Sequence, residues 1–209
     1  MSDVIGLAVR GLVVGFTVAA AVGPISLLTI RRTIAHGRSY GLLSGLGVAT
    51  ADATYAGIAA FGLTAIAGLL VSVRAWLGLV GGLIVAVIGL RTIASRPGDV
   101  ARATDRPGLR AAFGSIFALT MTNPMTILSF AALFTGFGFA TGASTFADAA
   151  VLTLGVWCGS ALWWLLLTGA VGSLRGRVSA RGLTWVNRVS GAALVGFGAV
   201  AIAIALGLV

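Results

Sequence analysis

Two prolines, one acid and an asparagine are the residues of this sequence whose types and positions could do chemistry. Pro24 follows Gly23 and Pro124 follows Asn123, each inside a long apolar stretch. A proline within a helix removes a backbone hydrogen bond and costs about 3 kcal/mol, more where water cannot repair the loss. Asn before Pro is a good N-cap followed by a good first helical residue, and Gly before Pro is a permissive version of the same pattern. Each break would then begin a new half-helix, with free N–H groups and the positive end of a dipole near mid-span. Such ends suit a carboxylate. The alternative is an ordinary proline kink packed by small neighbours.

Asp52 is read as the only acidic residue within a span. A charged Asp at the bilayer centre costs about 2.5–3.5 kcal/mol on insertion scales, so it should face the interior and have a partner. It could bind a proton or a cationic group. Alternatively it is a hydrogen-bonded anchor, to Thr50, Asn123 or a broken-helix backbone. Ser26, Thr126 and Tyr55 lie near these positions in the sequence, and Thr17, Thr120 and Thr122 could also line a cavity or join helices.

The elements that carry these residues follow from composition. The chain has 209 residues, 58% hydrophobic and 9% charged, with a mean hydropathy of +1.08. A soluble domain carries about 25% charged residues, so lipid must surround most of this chain. The net charge of +9 comes from 14 basic residues, all Arg, in short clusters between uncharged stretches. That distribution fits membrane topology and anionic headgroups rather than nucleic acid. One His, one Cys and no Glu give no metal cluster and no nucleophile–base–orienter set. No metal, no cofactor and no enzyme activity are expected.

Six spans are expected, at about 6–30, 41–63, 76–93, 113–137, 147–172 and 188–208. The first is read as a retained helix, since its apolar run is too long for a signal sequence. Twelve arginines fall between spans 1 and 2, 3 and 4, and 5 and 6, whereas the other side receives only Arg10 and Arg74. By the positive-inside rule both termini lie outside the cytoplasm, in the cell inner membrane. Trp76 and Trp185 suit the interfaces, Trp157, Trp163 and Trp164 are assigned to lipid, and His36 to water. The small residues Gly41, Gly45, Ala49 and Ala56 have the spacing of close helix packing.

Three marks repeat in order. Gly23-Pro24 matches Asn123-Pro124, Leu46-Gly47-Val48 matches Leu154-Gly155-Val156, and Gly82 and Gly89 match Gly191 and Gly198, at offsets of 100, 108 and 109. Ser160 falls opposite Asp52 and Trp163 opposite Tyr55. The chain is thus one integral membrane domain: repeat 1 at about 1–94, a cytoplasmic linker at about 95–110, and repeat 2 at about 111–209. Each half has three spans, so the second inserts upside down. The expected fold is an all-α membrane protein of six transmembrane helices in two inverted-topology repeats, with helices 1 and 4 broken at proline. Many secondary transporters have that architecture, with the substrate at the midplane.

The segment AVGPISLLTIRRTIAHGRSYGLLSGLGVATADATY, with TMTNPMTILSF in the second half, resembles the LysE/RhtB family of amino-acid exporters over nearly the whole chain. The resemblance implies proton-driven efflux of amino acids or close relatives, and carries over to Gly23, Pro24, Asp52, Asn123 and Pro124. Family members often have Asn where this chain has Ile25, and a basic residue where it has Met125, so the substrate is not inherited.

The expected binding residues are Gly23, Pro24, Ser26, Asp52, Tyr55, Asn123, Pro124 and Ser160, with Asp52 also coupling to protons. With one buried acid, a neutral zwitterion fits better than a dibasic amino acid. A non-coupled pore is the rival expectation. The partners expected are this small substrate, the anionic lipid surface and a second copy of the chain.

Overall fold

The computed structural model describes residues 4–21, 23–61, 73–94, 108–123, 126–127, 129–130, 145–174 and 180–208, all-helical and with no strand among them. Seven helices are described. They are α1 (Val4–Ala20), α2 (Pro24–His36), α3 (Arg38–Ala60), α4 (Arg74–Ala94), α5 (Leu109–Met121), α6 (Phe146–Leu174) and α7 (Ala180–Ala205). The expectations for Pro124, Met125, the linker over 95–107 and the end of span 4 lie outside the described residues.

Local chemistry sets several of these boundaries. Gly37, at φ 101°, ends α2 and begins α3. Its N–H donates to the Thr33 carbonyl at 2.9 Å, and its carbonyl accepts from Gly41 at 3.1 Å. An L side chain would be strained at that φ. Before α6, Thr145 and Asp148 form a reciprocal capping box: each backbone N–H donates to the other side chain at 3.1 Å. Two N-terminal amides are thereby satisfied. Asp148 is itself buried, so Asp52 is not the only acid within a helix, as the sequence reading had it.

Two expected helix ends move. The helix expected to end near residue 30 runs on through Arg31 and Arg32 to His36, and the one expected from 188 begins at Ala180. Arginines mark where apolar surroundings stop, but nothing in them unwinds a helix, so span and helix ends differ.

Of the described helices, α6 and the 184–205 part of α7 are long and apolar enough to cross a membrane, and α1 with α2 makes a third candidate as a span bent by 78°. The 23-residue α3 fails on apolarity for a structural reason. It is the central helix, packed against α2, α5 and α6, and needs little lipid-facing surface. Trp76 and Trp185 are largely exposed.

Glycines let the backbones approach. Alongside α1, α6 runs parallel: a Cβ on Gly155 would lie 2.7 Å from the Ala8 carbonyl oxygen and 3.1 Å from the Leu12 nitrogen. The same geometry recurs between α3 and α5, where a Cβ on Gly47 would lie 2.6 Å from the Phe113 carbonyl oxygen and 3.3 Å from the Phe117 nitrogen. Helices α4 and α7 cross antiparallel with Gly82 against Gly198 and Gly89 against Gly191. Added Cβ atoms there would meet the facing carbonyl oxygens at 2.6–2.9 Å. Antiparallel α3 and α6 form the centre, where Gly45 receives the Trp164 ring. Trp164, assigned to lipid from the sequence, is 1% exposed, because a glycine opposite it makes room for an indole.

Candidate functional site

The first break has the expected geometry. Helix α1 ends at Ala20, and α2 begins at Pro24 with Gly23 at its N-cap, extended at φ −139° and ψ −170°, with no side chain capping it. The Gly23 carbonyl accepts the Leu27 N–H at 3.2 Å, and at the second break the Asn123 carbonyl accepts the Ile127 N–H at 3.1 Å. Asn123 therefore makes the same bond to the fourth residue on as Gly23, whose bond closes the first turn of α2. The first-turn amides of such a helix have no partner within it.

Between the breaks lies a cavity of about 150 Å³, smaller than the 300–1,000 Å³ typical of drug-sized ligand sites. Gly23, Pro24, Ser26, Asp52 and Asn123 line it, together with Thr120, Thr126, Ser129, Ile25, Trp164 and Phe197. Asp52 is the only ionisable side chain on the described wall. A second cavity of about 150 Å³ shares Pro24, Asn123 and Phe197 with the first and extends between α4 and α7 past Gly81, Gly82, Val85 and Gly198. The two cavities meet at the breaks, with Phe197 on the wall between them.

Asp52 on α3 and Ser160 on α6 are joined directly, the serine hydroxyl donating to the carboxylate at 2.8 Å. Both are buried. Ser160 thus acts as Asp52's partner behind the cavity wall; it is absent from the lining. Tyr55 also stands back from the cavity. Its hydroxyl donates to the Met121 carbonyl at 2.7 Å, and its ring stacks on Phe130 with centroids 5.4 Å apart. Met121 ends α5, so Tyr55 caps a carbonyl exposed by the second break. Thr120 and Ser26 donate to the carbonyls of Ile116 and Ala21, at 2.8 and 3.4 Å. Their hydroxyls therefore offer the cavity chiefly acceptor capacity.

The twin arginines were read as topology marks alone, and the structure gives them a second task. Arg31 donates to Thr92 of α4 at 2.7 Å. Arg32 donates to Ser44 of α3 at 3.2 Å, to the Ala112 carbonyl at 3.1 Å and to Ser115 at 3.0 Å, both on α5. The pair fastens the half-helix that starts at Pro24 to three neighbours. Both guanidinium groups remain charged at any physiological pH. The signal for this was adjacency: one arginine marks an interface, but two in succession on a helix point to different neighbours. His36, assigned to water, lies against Tyr40 with ring centroids 4.8 Å apart and planes tilted by 55°. Among the described residues no cluster of His, Cys, Asp or Glu could hold a metal.

The family model for LysE type translocators matches residues 16–204. The chain is 25% identical over 190 residues to the "Putative amino acid efflux protein YcgF" of Bacillus subtilis (strain 168), covering 90% of each chain. No solved structure matches it. A helical membrane chain bent at Gly23-Pro24, and a family match over nearly all its length, have one common account: the protein is a member of the LysE type translocator family.

Proposed function

We propose that this translocator exports amino acids or related small zwitterions across the cell inner membrane by proton antiport. The observation that carries the proposal is the cavity between the breaks, where Asp52 and the uncapped start of α2 share one wall. The half-helix starts would hold the substrate carboxylate. Asp52 would hold either its ammonium group or a proton, and that exclusion couples the two fluxes. The cavity's small volume and lone acid favour a neutral amino acid. The efflux activity in the Bacillus relative's name is the further support for export of amino acids.

The architecture proposed is six spans in two inverted repeats, with the linker and the arginine-rich ends in the cytoplasm and both termini outside. Support comes from reciprocal contacts. Matched residues Gly82 and Gly191, and Gly89 and Gly198, meet crosswise, each with the partner of the other. Matched Asp52 and Ser160 meet each other, as residues on a two-fold axis do. The α1–α6 contact has its counterpart in α5–α3, and α3–α6 and α4–α7 are their own counterparts. Arg10 and Arg110, Ser26 and Thr126, and Thr29 and Ser129 extend the match at the 100-residue offset.

The test is uptake of labelled neutral amino acids into inverted vesicles carrying the protein, with an imposed proton gradient. Asp52→Asn should abolish gradient-driven accumulation. Normal coupled uptake by that variant would remove Asp52 from the mechanism, and flux that ignores the gradient would make the protein a facilitator.

A further inference from the structure

Equivalent residues in the two halves are not in equivalent contacts, and the difference is five residues of helix. Gly155 is the counterpart of Gly47, and both press on the first helix of the opposite pairing. Gly47 meets Phe113 and Phe117, whose counterparts at the 100-residue offset are Val13 and Thr17. Gly155 instead meets Ala8 and Leu12, five residues earlier. That difference corresponds to about 7.5 Å at 1.5 Å per residue. Tyr55 and its counterpart Trp163 differ as well. Tyr55 reaches the carbonyl of Met121, the counterpart of Ala21, whereas Trp163 packs edge-on against the Phe16 ring with centroids 5.5 Å apart.

The displacement leaves a donor without an acceptor. Trp163 Nε1 is buried and has no hydrogen-bond partner among the described residues, while the Ala21 carbonyl accepts a long bond of 3.4 Å from Ser26. A buried N–H without a partner is costly, and such groups in native structures call for an explanation. We propose that Trp163 is the positioning residue of the opposite transport state. In that state α1 has moved five residues along α6, and the Trp163 indole N–H takes the Ala21 carbonyl, as Tyr55 takes Met121 in this one. The proposal rests on the inverted-repeat transporter reading, in which the halves exchange conformations.

The direction of motion is internally consistent. The exchange moves α1 toward its own N-terminus past α6 and α5 toward its own C-terminus past α3. Helix α1 is parallel to α6, α5 is parallel to α3, and α3 and α6 are antiparallel, so α1 and α5 move the same way across the membrane. The two broken helices then travel together past a fixed α3–α6 pair that carries Asp52 and Ser160. Register steps between packed elements are a known form of switching, because interdigitated side chains favour discrete arrangements. The slide must also part Arg32 from Ser44 on one side or from Ala112 and Ser115 on the other, so those bonds belong to the present state.

The experiment places spin labels at Val9→Cys on α1 and Leu174→Cys on α6, both exposed, in a Cys158→Ser background in lipid nanodiscs. Pulsed distance measurement is combined with flux of labelled neutral amino acids in liposomes. Two distances differing by about 7 Å are expected. Trp163→Phe should deplete the longer one and Tyr55→Phe should enrich it. Each shift should be about fivefold in the population ratio, the worth of one neutral hydrogen bond. The double variant should return near the starting ratio. A structural role alone would not move the two single variants in opposite directions. A single distance in all of them with flux retained overturns the slide and leaves export standing. Shifts in the same direction overturn the role of Trp163. Opposite shifts without flux of any amino acid support the slide and overturn the export reading. Should Trp163→Phe fail to fold, the presence or absence of two distances in the unaltered helices and the response of Tyr55→Phe still decide.

Discussion

Two glycines only two residues apart on α7 should respond to alanine with opposite sign. A Cβ on Gly198 would stand 2.6 Å from the Gly82 carbonyl oxygen, 2.8 Å from the Ala86 nitrogen and 2.9 Å from the Ala86 Cβ. The first two are backbone atoms, which can yield only by moving the α4 helix. A Cβ on Gly196 would meet nothing within 4 Å. In a helix interior Ala is better than Gly by about 0.5–1 kcal/mol, and Gly196→Ala should gain that amount. Gly198→Ala gains the same and loses about 1–3 kcal/mol to overpacking. Separating the helices also loosens the facing contacts at Gly82, Gly89 and Gly191, so a net loss of about 1–2 kcal/mol is expected. Chemical unfolding of the two variants in the same detergent, followed by tryptophan fluorescence, measures the difference. Equal effects of one sign would refute the close crossing of α4 and α7, and with it the shape of the second cavity, which Gly82 and Gly198 line.

Three other outcomes follow from the site. Ser160→Ala removes a 2.8 Å bond to the buried Asp52 carboxylate; bonds to charged groups contribute about 1.5–3 kcal/mol, so uptake at subsaturating substrate should fall at least tenfold while the protein still folds. A fall of less than threefold would mean that the bond does not position Asp52. Arg32→Lys should lower the melting temperature nearly as far as Arg32→Ala, because Lys cannot span Ser44, Ala112 and Ser115 from a planar fork; full rescue by Lys would reduce the contact to charge alone. Gly23→Ala should fold like the parent, since Gly23 has an ordinary extended φ and open space where a Cβ would go, but should weaken uptake, because Gly23 lines the cavity proposed to hold the substrate. Unchanged uptake in that variant would place the substrate away from the start of α2.

The first helix break was legible because proline chemistry is local: Pro24 lacks the N–H that would continue the preceding helix, and α2 starts where that rule puts it. Asp52 was conspicuous for a similar reason, as a charge amid apolar residues demands a partner. Its partner Ser160 was legible only as a position in a repeat, since 108 residues separate the two and no local signal joins them. Trp164 was misassigned because an indole is at home at a lipid surface or in a core, and the choice lies with Gly45 across the helix pair. Arg31 and Arg32 carried two meanings at once: their charge spoke of topology, while their contacts on α3, α4 and α5 are set by which helices stand alongside. The five-residue difference in register between the α1–α6 and α5–α3 contacts could not be read from sequence at all. The matched residues keep one alignment, and only the register in which α1 lies on α6 and α5 lies on α3 distinguishes them. Sequence by itself determined the lipid environment, the two breaks and the central acid, because each follows from what one residue costs where it stands. Tertiary structure alone decided what meets across the helices, because contact energy depends on register, and the same residues can pack in more than one.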